Sequence, residues 1–162
     1  MEDKAPIPEG ARVAIVGAGP AGALLAIALL DAARARRTPV QVLLFHAGRS
    51  RRRRIAIDNS AVAQLAAAGI PLPAAGVAPL QGTRAAFGRA CAERPGQLHA
   101  AVCGSGDGDD FAAWLRAVAV QKGAVLHHRA VESICAAGAA GYTVRAAGAS
   151  LRVETVVLAC GA

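Results

Sequence analysis

The sequence predicts an α/β fold. Three observations predict it. A short apolar run, Val13 to Val16, enters a turn of three spaced glycines. A second apolar run, Val40 to Phe45, follows an Ala- and Leu-rich stretch of helical length. A late series of short runs carrying Val, Ile and Thr is punctuated by glycines. Strand, glycine turn, helix and strand compose one βαβ unit, and the late runs compose a meander. The class is therefore a Rossmann-like βαβ parallel sheet with an antiparallel β-meander, its crossover right-handed.

Val13 to Val16 is apolar throughout, the pattern of a parallel strand covered on both faces. After Gly17-Ala18-Gly19-Pro20-Ala21-Gly22, Ala23 to Arg37 reads as a helix. Thr38-Pro39 ends it, because proline has no N–H to continue the ladder. Val40 to Phe45 is the second strand. Beyond the arginines, Asn59 or Ser60 can cap a short helix through Ala68, with Gly69 as its C-terminal stop. Pro71 to Pro79 reads as a loop. Leu80 to Ala90 and Gln97 to Cys103 read as strands joined by a turn at Arg94-Pro95-Gly96. Gly104 to Asp110 is rich in turn residues, and its aspartates suit a helix N-terminus. Phe111 to Lys122 is amphipathic, with Phe111, Trp114, Leu115, Val118 and Ala119 on one face, and Gly123 ends it. Ala124 to His127 can join the first sheet in parallel. Ala130 to Cys135, Tyr142 to Ala146 and Ser150 to Glu154 form the meander, and Thr155 to Ala159 reads as a buried strand.

The composition narrows the function classes. At 162 residues the chain is a single domain, 1–162, or part of one. Hydrophobic residues make up 54% and aromatics only 3%, so the core must be built from Ala, Val, Leu and Ile. The net charge of +7 is concentrated between Arg49 and Arg54. No aromatic residue interleaves with that run, which argues against nucleic acid as a partner. Cys91, Cys103, Cys135 and Cys160 form no C-x-x-C pair, so no zinc site is expected. Asp107, Asp109 and Asp110 lack the remaining ligands of a calcium loop, and capping explains them better. His99, His127 and His128 have no nucleophile at a recognisable spacing and read as structural. The longest apolar helical stretch, Ala21 to Leu30, is too short to span a bilayer, and a cytoplasmic setting with reduced thiols is expected.

The chemistry concentrates in the glycine turn. Gly17-x-Gly19-x-x-Gly22 stands between a strand and a helix, the context in which this spacing binds a dinucleotide. Gly17 permits the tight turn, Gly19 lets backbone approach a diphosphate, and Gly22 lets the helix lie close to the sheet. The helix N-terminus then directs unpaired N–H groups and positive dipole at the phosphates.

VAIVGAGPAGALLAIALL resembles the first βα unit of FAD-dependent oxidoreductases of the glutathione-reductase structural class. FAAWLRAVAVQKGAVLHHRAVESI is similar to that group's helix and following strand. GYTVRAAGASLRVETVVLACGA is similar to its β-meander and to a strand ending in Ala-Thr-Gly, here Ala159-Cys160-Gly161. Arg53 to Pro73 and the meander after it most resemble the aromatic-hydroxylase and geranylgeranyl-reductase branch. The resemblance implies an N-terminal FAD-binding portion, incomplete relative to full-length flavoenzymes, which add a substrate domain. It implies that Gly17, Gly19, Pro20, Ala21 and Gly22 hold the FAD diphosphate. It places Val131 against the adenine, Cys160 and Gly161 beside the cofactor, and Arg53 or Arg54 on a phosphate or ribose.

Two departures matter. The group's second strand ends in Glu or Asp, which accepts from the ribose hydroxyls; here His46 stands there, with one acceptor and one donor. Loss of that carboxylate also suits a 2′-phosphate, which Arg49, Arg51 and Arg52 could bind, so NADPH is the alternative cofactor. The group usually carries an arginine shortly before the late helix, where Gly104, Ser105 and Gly106 stand here. No catalytic acid, base or nucleophile is assigned, and the expected role is a monooxygenase or reductase portion. A non-catalytic partner subunit with this fold is a further alternative. The last strand is expected inside the sheet, with apolar faces left for a partner chain or self-association to cover.

Overall fold

The computed structural model describes residues 10–48, 53–73, 77–87, 90–96, 98–103, 110–138 and 141–160. The chain divides into two units, residues 1–49 with 115–162, and residues 50–114. In chain order the elements are β1 (Arg12–Val16), α1 (Pro20–Ala35), β2 (Gln41–Phe45), β3 (Arg53–Asp58), α2 (Asn59–Ala67), β4 (Val77–Pro79), β5 (Gly82–Phe87) and β6 (Ala90–Pro95). They continue as β7 (Leu98–Cys103), α3 (Phe111–Gln121), β8 (Val125–His127), β9 (Val131–Ala136), β10 (Tyr142–Ala146), β11 (Ala149–Val153) and β12 (Thr155–Leu158). The α/β class expected from the sequence is the one observed. Among the described residues, no helix is long and apolar enough to cross a membrane.

The first unit is built on a parallel sheet ordered β12-β1-β2-β8. Alternation along its strands sends successive side chains to opposite faces. On one face Ala14, Leu43 and Phe45 pack against Val144, Ala146 and Val153 of the antiparallel meander β11-β10-β9. The other set, Val13, Ile15, Val42 and Leu44, is also buried. The buried face of α1 is Gly22, Ala23, Ala26, Ile27 and Leu30. Small residues there allow the helix to lie close to the sheet. Leu115 and Ala119 of α3 are fully buried. Lys122 Nζ donates to both Asp31 carboxylate oxygens, at 2.8 and 2.9 Å, tying the end of α3 to α1.

The second unit holds an antiparallel sheet ordered β3-β7-β4, the β5-β6 pair and α2. An open, largely apolar hollow of about 700 Å³ lies on that sheet, lined by Arg54, Ala56, Ala78, Ala100 and Val102 among others.

Several boundaries differ from expectation for identifiable reasons. Helix α1 starts at Pro20, not Ala23: proline at the first helical position loses only an N–H that has no helical partner anyway. Its end is set by backbone, not by Pro39. Arg37 takes a left-handed conformation, φ +54°, and Thr38 N–H reaches back to the Ala33 carbonyl at 3.0 Å. The α2 cap is Asp58, not Asn59 or Ser60, its carboxylate accepting from Ala61 N–H at 2.7 Å. That bond, reinforced by Ser60, holds the Asp58 carboxyl below its ordinary range. Gly69 does end α2, in the left-handed region at φ +70°.

Val77–Pro79 is strand β4, where a loop was expected; its partner β7 supplies the pairing that a short Pro-bearing run does not advertise. The expected turn at Arg94-Pro95-Gly96 does not join β7 to its neighbour. β5 pairs with β6, and β7 pairs with β3 and β4. Residues 88–89, between β5 and β6, lie outside the described residues, as do Gly104 to Asp109. Asp110 caps α3, its Oδ1 accepting from Ala112 and Ala113 N–H at 2.9 and 3.1 Å. Strand β12 is not interior as expected. Among the described residues it forms a sheet edge, and Leu158 is 69% exposed. An apolar run cannot announce which neighbour covers it.

Left-handed backbone at a residue bearing a Cβ costs roughly 1–2 kcal/mol. The substitution Arg37→Gly is therefore expected to stabilise the fold by about 1 kcal/mol, read as a raised urea midpoint at unchanged slope.

Candidate dinucleotide site

The site is built where the parallel strands end. In the order β12-β1-β2-β8 the chain passes from β1 to β2 on one side and later sets β12 on the other, so the strand order reverses at β1. Such a reversal opens a crevice at the carboxyl ends of the strands. Gly17 follows β1 and Cys160 lies just beyond β12, so both stand at this edge. His46 follows β2 and His128 follows β8. Backbone bonds fix the edge: Gly17 N–H to Phe45 O at 3.1 Å, Ala159 N–H to Val16 O at 2.7 Å, and His46 N–H to His127 O at 2.8 Å.

Gly17 is required twice over. Its φ is +109°, and a Cβ there would stand 2.4 Å from the Ala159 carbonyl oxygen and 2.7 Å from Cys160 N. The first glycine therefore does more than turn the chain. It lets the end of β12 come within backbone contact of the loop. Gly22 is equally constrained, since a Cβ would lie 1.9 Å from the Gly17 carbonyl oxygen. Absence of side chains at both positions folds turn and helix start onto each other.

Among the described residues, that geometry leaves donors at the start of α1 without a backbone partner. Gly19 caps α1 from an extended conformation with no side-chain cap, and the first turn of α1 carries no acidic residue. Ala23 N–H donates to the Gly19 carbonyl at 2.9 Å, and Pro20 has no N–H. The amides of Ala21 and Gly22 are left at the positive end of the helix dipole. An anion with two phosphoryl groups fits this cradle by charge and by donor type.

The other sequence-derived residues fall into three groups. His46, Val131 and Cys160 belong to the first unit with the turn. His46 is half-buried, and its ring meets that of His128 edge-on at 5.9 Å between centroids. Phe45 stacks on His127 at 4.9 Å beneath them. Val131 opens β9, opposite Ala146 at a bulge in the meander. Cys160 is exposed, and its Sγ–H donates to the Val16 carbonyl at 3.3 Å, fastening β12 to β1 where the turn begins. Gly161 lies outside the described residues, as do Arg49, Arg51 and Arg52.

Arg53 and Arg54 form the third group. The resemblance sets them on a phosphate or ribose, ahead of the next helix. They open strand β3 in the second unit, both exposed, paired with Cys103 and Val102. An arginine run reads as loop by charge alone, whereas the following Ile-Ala-Ile carries the strand.

One residue escaped the sequence reading. Arg116 of α3 donates from its guanidinium to the Ala18 carbonyl inside the turn, at 3.1 Å. A signal was there: Arg116 shares a helix face with Ala112 and Ala119, both buried, so a cation stands where an apolar residue is the rule.

Comparison with known proteins agrees with this geometry. A family model described as FAD-NAD(P)-binding matches residues 14–162. The chain belongs to that family. No match was found among the curated proteins. Solved structures similar in fold include the flavin-dependent halogenase BrvH from Brevundimonas sp. BAL3, at TM-score 0.71 and 14% identity, over 95% of this chain and 43% of that one. The flavin-dependent brominase Bmp2 matches at TM-score 0.67 and 21% identity, over 94% of this chain and 38% of that one. PqsL from Pseudomonas aeruginosa, a probable FAD-dependent monooxygenase, matches at TM-score 0.58 and 18% identity, over 91% and 42%. This chain thus spans well under half the length of these enzymes.

Steric room decides the cradle. Gly17→Ala and Gly22→Ala are each expected to destabilise the fold by about 2–4 kcal/mol, through backbone collision added to strain. Gly48→Ala is the control: φ is +76°, but no atom lies within 4 Å of the added Cβ, so about 1 kcal/mol is expected. Urea unfolding of the three variants makes the comparison.

Proposed function

We propose that this chain is the FAD-binding portion of a flavin-dependent oxidoreductase, of monooxygenase or reductase type. One observation carries the reading: a cradle of unpaired α1 amides at the strand-order reversal, with no space for side chains at Gly17 or Gly22. Membership of the FAD-NAD(P)-binding family and a fold shared with flavin-dependent enzymes support it. In this reading Gly19, Ala21 and Gly22 hold the diphosphate, and Pro20 pre-sets the helix that aims their amides. Val131 lies along the adenine and His46 meets the ribose. Cys160, with Gly161, borders the cofactor and keeps β12 against the turn. Arg53 and Arg54, which the sequence resemblance sets on a phosphate or ribose, open β3 in the second unit. Bound flavin supplies the redox chemistry, and the chain supplies grip and orientation. No residue of this chain is assigned as acid, base or nucleophile.

NADPH is the second reading, favoured by a specific observation. β2 ends at His46 and not at a carboxylate, so nothing at that position repels a 2′-phosphate. Domain extent 1–162, a cytoplasmic setting, and a partner chain or second copy along the exposed end of β12 complete the proposal.

Titration with FAD, followed by flavin fluorescence, is expected to saturate at one site. NADPH should compete weakly, and NADH no better. Protein that ignores FAD while binding NADPH tightly, and NADH far less, would replace the first reading with the second.

A further inference from the structure

Arg116 is a cation in an unusual place. It lies on a helix face between Ala112 and Ala119, each at most 3% exposed, and is itself only half-exposed. Its guanidinium donates to the Ala18 carbonyl at 3.1 Å, and Ala18 is 2% exposed within the glycine turn. Among the described residues, ion pairs join Asp31 to Arg34 and to Lys122, and none includes Arg116. A half-buried charge without a counter-charge is costly, and such charges are ordinarily paired. A guanidinium has five N–H donors, and one bond to a carbonyl uses one of them.

The same turn presents unpaired amides of α1 and lacks any acidic residue in the first helical turn. Positive potential from the helix and from the side chain is therefore added at one turn, and among the described residues no carboxylate pairs with Arg116. The partner that balances both is an anion at the turn. The Ala18 carbonyl would otherwise present a negative dipole to that anion, and the bond from Arg116 turns it aside.

We propose that Arg116 is a binding residue for the dinucleotide's diphosphate, bracing the turn through Ala18 and supplying its positive counter-charge from α3. This rests on the dinucleotide-binding reading above and assigns that site a charged side chain that the glycine motif does not contain.

The test separates charge at the diphosphate from mere support of the loop. Wild type, Arg116→Met and Arg116→Lys are titrated with FAD, ADP and adenosine, after unfolding midpoints confirm that each variant folds. Charge-assisted hydrogen bonds to an ionised group are worth enough that Arg116→Met should weaken FAD and ADP by about tenfold or more. Adenosine, which has no phosphate, should change less than twofold. Arg116→Lys should fall between, because it keeps the charge and loses the fork. Wild-type affinity for ADP should fall with added salt, and less steeply in Arg116→Met. Equal loss for ADP and adenosine, or no loss for either, overturns the assignment while leaving the site itself intact. Wild type that binds neither FAD nor ADP overturns both the site and the residue. A variant that fails to fold is set aside for Arg116→Lys, whose ADP-to-adenosine ratio then decides: a ratio equal to wild type's overturns the proposal.

Discussion

The structure depends on one close approach. The end of β12 reaches the glycine turn so tightly that Gly17 has no room for even a methyl group. Three consequences share that cause. β12 can pair with β1 in register to its last residue, Val16 opposite Leu158. The turn is held from behind by backbone, Ala159 N–H donating to the Val16 carbonyl. And α1 begins immediately, at Pro20, capped by Gly19 with no side-chain cap. Binding sites assembled this way use main-chain dipoles already fixed by the fold, so little ordering remains to be done when an anion arrives.

Around that point the first unit is economical. A sheet of small and branched residues accepts α1 through alanines and Gly22 on one face, and the meander through Val144, Ala146 and Val153 on the other. Charge is used sparingly: Lys122 and Asp31 secure one end of α3, and Arg116 meets the turn from the same helix. Among the described residues, the polar contacts at α3 and its C-terminal end include α1, the turn and its own cap at Asp110.

How legible this was in the sequence varies with the physics of each part. The glycine turn was legible because its requirement is absolute: positive φ and missing volume admit no substitute, so residue type records geometry. The parallel strands and the meander were legible from apolar runs and turn glycines. Strands β4 and β6 were not, because runs such as Val-Ala-Pro and Ala-Cys-Ala-Glu carry little alternation and take their pairing from partners that the run itself does not name. The exposed edge of β12 was hidden for the same reason. Arg37 ends α1 with no sequence signal at all, since the left-handed position usually filled by glycine holds an arginine. Arg116 was overlooked because an amphipathic helix is read for its apolar face, and a lone cation on that face is easily counted as solvent-facing.

The central claim is that main-chain amides at the start of α1 receive a diphosphate. Amide chemical shifts, followed by NMR as ADP is added, test it most directly. The account expects the largest, saturating changes at Gly19, Ala21 and Gly22. Shifts confined to the apolar hollow of the second unit, with the turn silent, would contradict it.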